Sequence, residues 1–345
     1  MSETQKPSGH MAEEIREAPD AVRRQEQNFA SPLAELIRRL RRKEPRVVVT
    51  CARGSSAHAA AFAKHAIERH LGIPVAPAAP SIATIYHRDL KLKDQLLLAI
   101  SQSGRSDDLI EQTRSARRAG ALTVALVNAG DSPLARESDI VLPISAGPEQ
   151  SIAATKSFVA TLSGLLRLVA EWADDAELKS ANVRLPERLA AATVLDWSAC
   201  FDAFSKAESL ITIGRGSTLA IAREAALKLK ETCNLHAEGY SGAEFQHGPM
   251  ALISTGYPVL IFVPGDAAAE PVRALTADLK RKHAAVFSVE PGAGEGRLPA
   301  LPHDQPESDA VCMVQSFYAA AVELAKLRGI DPDRPRHLQK VTRTR

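Results

Sequence analysis

The sequence predicts an α/β protein made of two tandem units, each a parallel β-sheet flanked by helices. Three observations carry this. Short apolar runs alternate with helical stretches along most of the chain, as strands buried on both faces of a parallel sheet do. The alternation restarts about halfway. The same strand-to-helix corner also occurs twice, as VTCARGSSAHAA at 49–60 and ITIGRGSTLAIA at 211–222.

Taken in order, residues 1–10 are polar and read as a disordered N-terminus, and 11–45 as a helical arm of two helices, at 11–27 and 31–44. RVVVTC (46–51) is the first strand, and the helix after it closes on Gly72. IPVAPA is a second strand, and QLLLAIS (95–101) a third, leading into a helix over 106–120. ALTVALVN (121–128) and DIVLPI (139–144) complete the set, and a long helix spans 151–173. The polar stretch 174–188, which contains a proline, reads as a linker. The pattern then repeats: strand 209–214, helix 217–232, strand 257–263, a helix near 268–282, strand 284–289, and a long helix at 308–330. Two units of similar plan imply a duplication rather than a short-period solenoid.

Composition narrows the function classes. With 45% hydrophobic and 24% charged residues the chain is an ordinary globular one. A net charge of +2 supplies no basic surface that would call for nucleic acid. Cys51, Cys200, Cys233 and Cys312 lie far apart, without a C-x-x-C pair, so buried free thiols are expected. The first ten residues lack the apolar core of a signal peptide, and no uninterrupted apolar run reaches the roughly 20 residues of a membrane span. A cytoplasmic protein without membrane partners is the expectation.

Four segments could carry chemistry. The glycine of each corner lets the backbone turn tightly and bares helix amides to an anion, although neither corner continues as a dinucleotide fingerprint or a P-loop. AISQSGRSDDL (99–109) sets Ser101, Gln102, Ser103 and Ser106 around Gly104, between a strand and a helix. Hydroxyls, an amide and free helix N–H groups suit the oxygens of a phosphomonoester; a hydroxyl-rich capped turn would have the same composition. Glu224, Lys228 and Glu231 lie at i, i+4 and i+7, one stripe on a helix that is otherwise Ala, Leu and Ile. Such charges either pair at the surface or mark a site. His247, before Gly-Pro, titrates near neutral pH and could move protons.

Six motifs in order, GSS (54–56), SQSG (101–104), AGPEQSIAATK (146–156), ALKLKET (226–232), HAEGYSGAEFQHGP (236–249) and DPDRPRHLQK (331–340), resemble the sugar isomerase (SIS) domain family. The resemblance covers about 11–345 and is greatest to the two-SIS isomerase half of glucosamine-6-phosphate synthase and to isomerase-type glucosamine-6-phosphate deaminases. It implies two tandem SIS domains, each a flavodoxin-like parallel sheet flanked by helices: 46–175, then 176–330 including the linker, with 331–345 as a tail closing over the active site.

The resemblance also implies roles. Ser101, Gln102, Ser103 and Ser106 would bind phosphate; Gly54, Ser55, Ser56 and the backbone near Ile152 would line the sugar pocket. Glu231 would move the proton between carbons 1 and 2, Lys228 would shuttle hydroxyl protons, and His247 would assist ring opening from the neighbouring subunit of a homodimer. Lys340 would close over the open-chain sugar. Neither a metal nor another cofactor is implied. The synthase also carries a glutaminase domain, whereas here Met11 begins the isomerase-like arm directly. Arg105 follows SQSG where the synthase has Glu, and the chain ends VTRTR rather than in an acidic terminus. The expectation is therefore a deaminase yielding fructose 6-phosphate and ammonia. The alternatives are the same chemistry on another amino-sugar phosphate, ammonia-dependent synthesis of glucosamine 6-phosphate, or a non-catalytic sugar-phosphate sensor.

Overall fold

The computed structural model describes residues 9–340; the rest of the expected disordered N-terminus and the end of the tail lie outside the described residues. Within them the chain divides into two compact units. The N-terminal unit holds 20–147 and 157–184, and the C-terminal unit 9–19, 148–156 and 185–340.

The chain opens with α1 (His10–Arg42), one helix where the sequence suggested two. Pro32 removes a backbone hydrogen bond, at about 3 kcal/mol in a helix interior. Met11, Ile15, Val22, Phe29, Leu33, Leu36 and Leu40 form a buried stripe at helical spacing, worth about 1.5–3 kcal/mol for each large side chain. The stripe wins, and the helix continues through the proline.

The N-terminal unit continues with β1 (Val48–Ala52), α2 (Gly54–Leu71), β2 (Val75–Pro77), the single turn α3 (Ser81–Thr84), β3 (Leu96–Ser101), α4 (Asp107–Arg118), β4 (Leu122–Val127), the short α5 (Pro133–Arg136) and β5 (Ile140–Pro143). Then come α6 (Lys156–Trp172) and α7 (Ala176–Thr193). The polar stretch read as a linker is therefore largely helical: Leu178, Ala181, Leu185 and Leu189 supply a buried stripe that carries the helix past Pro186.

The C-terminal unit contains α8 (Phe201–Lys206), β6 (Ser209–Gly214), α9 (Ser217–Cys233), β7 (His236–Ser241), the single turn α10 (Gly242–Phe245), β8 (Pro258–Phe262), α11 (Ala269–Arg281), β9 (Ala285–Glu290), β10 (Arg297–Pro299) and α12 (Pro306–Leu327). β7 and β10 were not legible as strands; both are edge strands, where a sheet tolerates polar residues.

The sheets are ordered β2-β1-β3-β4-β5 and β10-β9-β8-β6-β7. Numbered within its own unit and read from the other edge, the second is again 2-1-3-4-5, and every pairing in both is parallel. The duplication is real at the level of topology. β3, central in the first sheet, is buried at all six positions, as a strand covered on both faces must be. By length and composition α12 could cross a bilayer, yet 72% of its most apolar window is buried inside the fold, as in a core helix.

All four cysteines are buried and free. Burial pushes the Cys51, Cys200 and Cys312 thiols up to about 12 and Cys233 up to about 11. Their thiolates are thus scarce at any ordinary pH. The native protein is expected to leave all four unmodified by a thiol reagent at about pH 8, well below these values, and to titrate four after denaturation. A cysteine that reacts rapidly before unfolding would contradict this burial.

Candidate active site

In the N-terminal sheet β1 and β3 are neighbours, with Ala52 opposite Ile100. The chain proceeds from β1 to the strand on one side and from β3 to the strand on the other. A crevice opens at the carboxyl ends of such a pair, and ligands of doubly wound sheets bind there. The first corner and the SQSG loop are the segments that leave these two strand ends.

Their geometry suits an anion. Ser101 Oγ accepts from the Gly104 amide at 3.1 Å, and Ser103 Oγ from the Arg105 amide at 3.3 Å. Gly104 has φ +62°, and a Cβ there would lie 2.1 Å from Ser132 Oγ, so no larger residue fits the loop. Ser106 is the N-cap of α4, but its hydroxyl caps no helix amide. Gln102 is half-buried, and its carbonyl accepts from Asn128 N at 3.2 Å. Arg53 ties the corner to the loop: its Nε and Nη2 reach Oδ2 of the buried Asp108 at 2.8 and 2.7 Å. This pair compensates an acidic residue that would otherwise repel an anion. Gly54 turns at φ +52° with open space around it, and Ser55 and Ser56 are half-buried in the first turn of α2.

The second corner is different. A Cβ at Gly214 would meet the Thr218 carbonyl oxygen at 2.2 Å. The buried Thr218 hydroxyl accepts from Arg215 N at 3.0 Å and donates to Phe262 O at 2.8 Å. Ser217 is wholly buried and is not the cap; Gly216 holds that position. The second copy of the turn is filled by its own side chains.

The C-terminal unit instead gathers charge inside. Lys228, 1% exposed, lies 3.5 Å from Glu224 Oε1 and donates to Glu231 Oε2. Tyr318 of α12 donates to Glu224 Oε1 at 3.0 Å. The buried Glu149 carboxylate accepts from Thr155 N at 3.0 Å and from Lys340 Nζ at 3.1 Å. Lys340 also donates to Ser151 O at 2.5 Å, which places it beside the half-buried Ile152. The tail is held by Asp333, whose carboxylate accepts from the His10 and Met11 amides at 2.8 Å each. Ser151 in turn donates its hydroxyl to Glu14. His247 is exposed on the turn after α10, where its backbone amide donates to Glu244 O at 3.0 Å. No hydrogen bond among the described residues joins its ring to this cluster.

The SIS domain profile matches residues 40–170 and 203–289. The chain belongs to the SIS domain family. This SIS chain is 32% identical to the glutamine–fructose-6-phosphate aminotransferase [isomerizing] of Pseudomonas aeruginosa over 96% of its own length. It spans 58% of that relative. Among solved structures it resembles a candidate phosphosugar isomerase from Silicibacter pomeroyi, with TM-score 0.90, 44% identity, and coverage of 94% of this chain and 100% of that one. A glucosamine-6-phosphate deaminase from Thermotoga maritima shares the fold, with TM-score 0.77, 24% identity, and coverage of 97% and 100%.

Sequence reasoning reached Lys228 and Glu231 of this SIS chain through helical spacing. It did not reach Tyr318 or Glu149 as members of the cluster, nor the Arg53–Asp108 pair. Tyr318 carried a faint signal, a tyrosine inside an apolar helix whose hydroxyl needs a partner. Among the described residues no group of three His, Cys, Asp or Glu is arranged to hold a metal ion.

The environment assigns protons. Burial acts to lower the Lys228 pKa, but Glu224 and Glu231, assisted by Glu149, outweigh it, and the net shift is upward. Burial, then the Glu224 charge, raises Tyr318 well above 10. Lys228 therefore remains an ammonium and Tyr318 a neutral donor at physiological pH.

A raised lysine contributes stability that is present below its unfolded value, near 10.4, and is lost as pH rises through the folded value. A raised tyrosine loses in the same direction, because the unfolded phenol ionises from about pH 10 while the folded one cannot. Urea-unfolding free energy is expected to hold from about pH 8 to 9.5 and to fall above about pH 10. Tyrosinate absorbance should show Tyr318 ionising only as the chain unfolds. Tyr318→Phe should remove that component and cost about 1–3 kcal/mol at neutral pH, since Glu224 loses a buried donor. Native-state titration of all four tyrosines would refute the assignment.

Proposed function

We propose that the chain is an amino-sugar-phosphate deaminase that converts glucosamine 6-phosphate to fructose 6-phosphate and ammonia. The observation that carries this reading is the Glu224–Lys228–Glu231 array, in which the part-exposed Glu231 carboxylate, a candidate base, is held beside the buried Lys228 ammonium. The hydroxyl loop at 101–106 supports a phosphomonoester as the substrate's charged end. The isomerizing aminotransferase of P. aeruginosa and the candidate phosphosugar isomerase of S. pomeroyi support sugar-phosphate chemistry. Arg105, exposed beside a cavity of about 340 Å³, favours the deaminase branch over the synthase.

The proposed sequence uses the chain's own groups. His247, supplied from the neighbouring subunit of a homodimer, assists opening of the pyranose to the aldehyde. Glu231 takes the carbon-2 proton, which leaves an enolamine across carbons 1 and 2, and returns it to carbon 1. Carbon 2 is then an imine. Water adds to carbon 2, the carbon–nitrogen bond breaks, and fructose 6-phosphate and ammonia leave. Lys228 stabilises oxygen charge as it develops and relays hydroxyl protons, while Ser56 and the backbone at Ile152 border the sugar. Lys340 covers the open chain.

Ammonia release is measured with glucosamine 6-phosphate and galactosamine 6-phosphate in parallel; turnover of the former is expected to dominate. Glu231→Gln should lower turnover at least about 100-fold, the usual scale of a general base, while sugar-phosphate binding persists. Near-wild-type turnover in that variant would remove Glu231 from the role. Tight binding without turnover of either sugar would make the protein a sensor.

Mixing inactive His247→Ala with inactive Glu231→Gln chains should restore activity as subunits exchange. A verified mixed dimer that stays inactive would rule out a site shared between subunits.

A further inference from the structure

Within the N-terminal unit, α1, α6 and α7 line an open pocket of about 540 Å³. It has no part in the chemistry above. That volume lies in the range of small-molecule sites, about 300–1,000 Å³. Two polar side chains that line it carry buried nitrogen or oxygen atoms with no hydrogen-bond partner. Asn182 is 4% exposed, and neither its amide nitrogen nor its oxygen is hydrogen-bonded. Arg167, its side chain 12% exposed, leaves Nε and Nη2 unbonded. Those two nitrogens form one edge of the guanidinium, the edge that grips two oxygens of a carboxylate or phosphate side by side.

The protein does not supply those oxygens. Glu26 is the nearest acid, 3.8 Å from Arg167 Nη2 and 61% exposed, beyond hydrogen-bond reach. Burial accordingly lowers the Arg167 pKa, with only partial compensation from Glu26. A buried amide and a buried guanidinium edge left open together are costly unless something binds them. Of the other charges on the rim, Lys179 is already engaged by Asp174 and Glu171, at 2.6 and 3.3 Å. Arg41 donates to the Glu171 carbonyl at 3.0 Å, and Arg38 pairs with Glu35. Arg167 is thus the cation available to a ligand. The opposite wall is apolar, with Phe29, Leu33 and Ile37 of α1.

We infer that this cavity is a second ligand site, for a small organic anion whose carboxylate or phosphate head lies on Arg167 and Asn182 and whose short apolar body rests on Phe29, Leu33 and Ile37. The site is independent of the amino-sugar reaction, and its test does not use activity. Binding of hexanoate and hexyl phosphate to the full chain is measured by calorimetry, with hexanol and hexylamine as controls for the head group. The anions should bind at least about tenfold more tightly than either control, the scale of a charge-assisted bond pair. Whichever anion binds more tightly identifies the head.

Arg167→Met should abolish that preference, Arg167→Lys should keep part of it through charge without the fork, and Asn182→Leu should weaken both anions about threefold or more. Arg167→Met removes an uncompensated buried charge, so its melting temperature should not fall, which separates lost binding from lost folding. Equal binding of hexanol and hexanoate, no binding of either anion, or anion binding unchanged in Arg167→Met would overturn the inference. So would a wild-type dimer that Val183→Arg converts to monomer, since a second copy would then be the occupant of this face.

Discussion

Both sheets are parallel, and a parallel sheet has no face to give to water. Its strands are apolar on both sides and must be covered by helices, which leaves strand ends and helix termini as the places for polar chemistry. The rest of the architecture follows. In the N-terminal unit the hydroxyls and the Arg53–Asp108 pair sit where β1 and β3 end. Charge that lies elsewhere, as on α9, has to be neutralised within the protein.

Lys228 shows how demanding that is. An ammonium 1% exposed would lose its proton if unpaired. Here Glu224 and Glu231 flank it on the same helix, and Tyr318 donates from α12 to the same Glu224 oxygen that faces Lys228. The array is a buried ion cluster in which each member would be costly without the others. Glu149 extends it electrostatically and is itself clamped by Lys340 and Thr155. The charged side chains are thereby held in one arrangement by the fold itself.

The duplication also accounts for the difference between the two corners. The strand order and the Arg-Gly-Ser turn were kept in both units. In the first, the space beside Gly54 stayed open. In the second, Thr218 bonds to Phe262 O across the neighbouring strand and closes the turn. An apparent pair of anion sites is one open corner and one structural corner, and the second serves to launch α9.

Strand positions and the repeat were legible in the residues because burial on both faces leaves continuous apolar runs, a local pattern. The Glu224–Lys228–Glu231 stripe was legible for a similar reason, since helical spacing is short in sequence. Edge strand β7 and helix α7 were not, because a polar stretch has the same composition whether it is an edge, a half-covered helix or a loop. The tail's Lys340 meeting Glu149, 191 residues away, and Tyr318 meeting Glu224, 94 residues away, leave no local pattern at all. Such pairs are chosen by packing: a buried carboxylate must take whichever donor the fold brings to it. Sequence thus settled the fold class, its duplication and the helix that carries charge. The partners that make that charge tolerable, and which copy of the corner stayed open, were decided by the folded chain, because desolvation acts only once the residues around a group are in place.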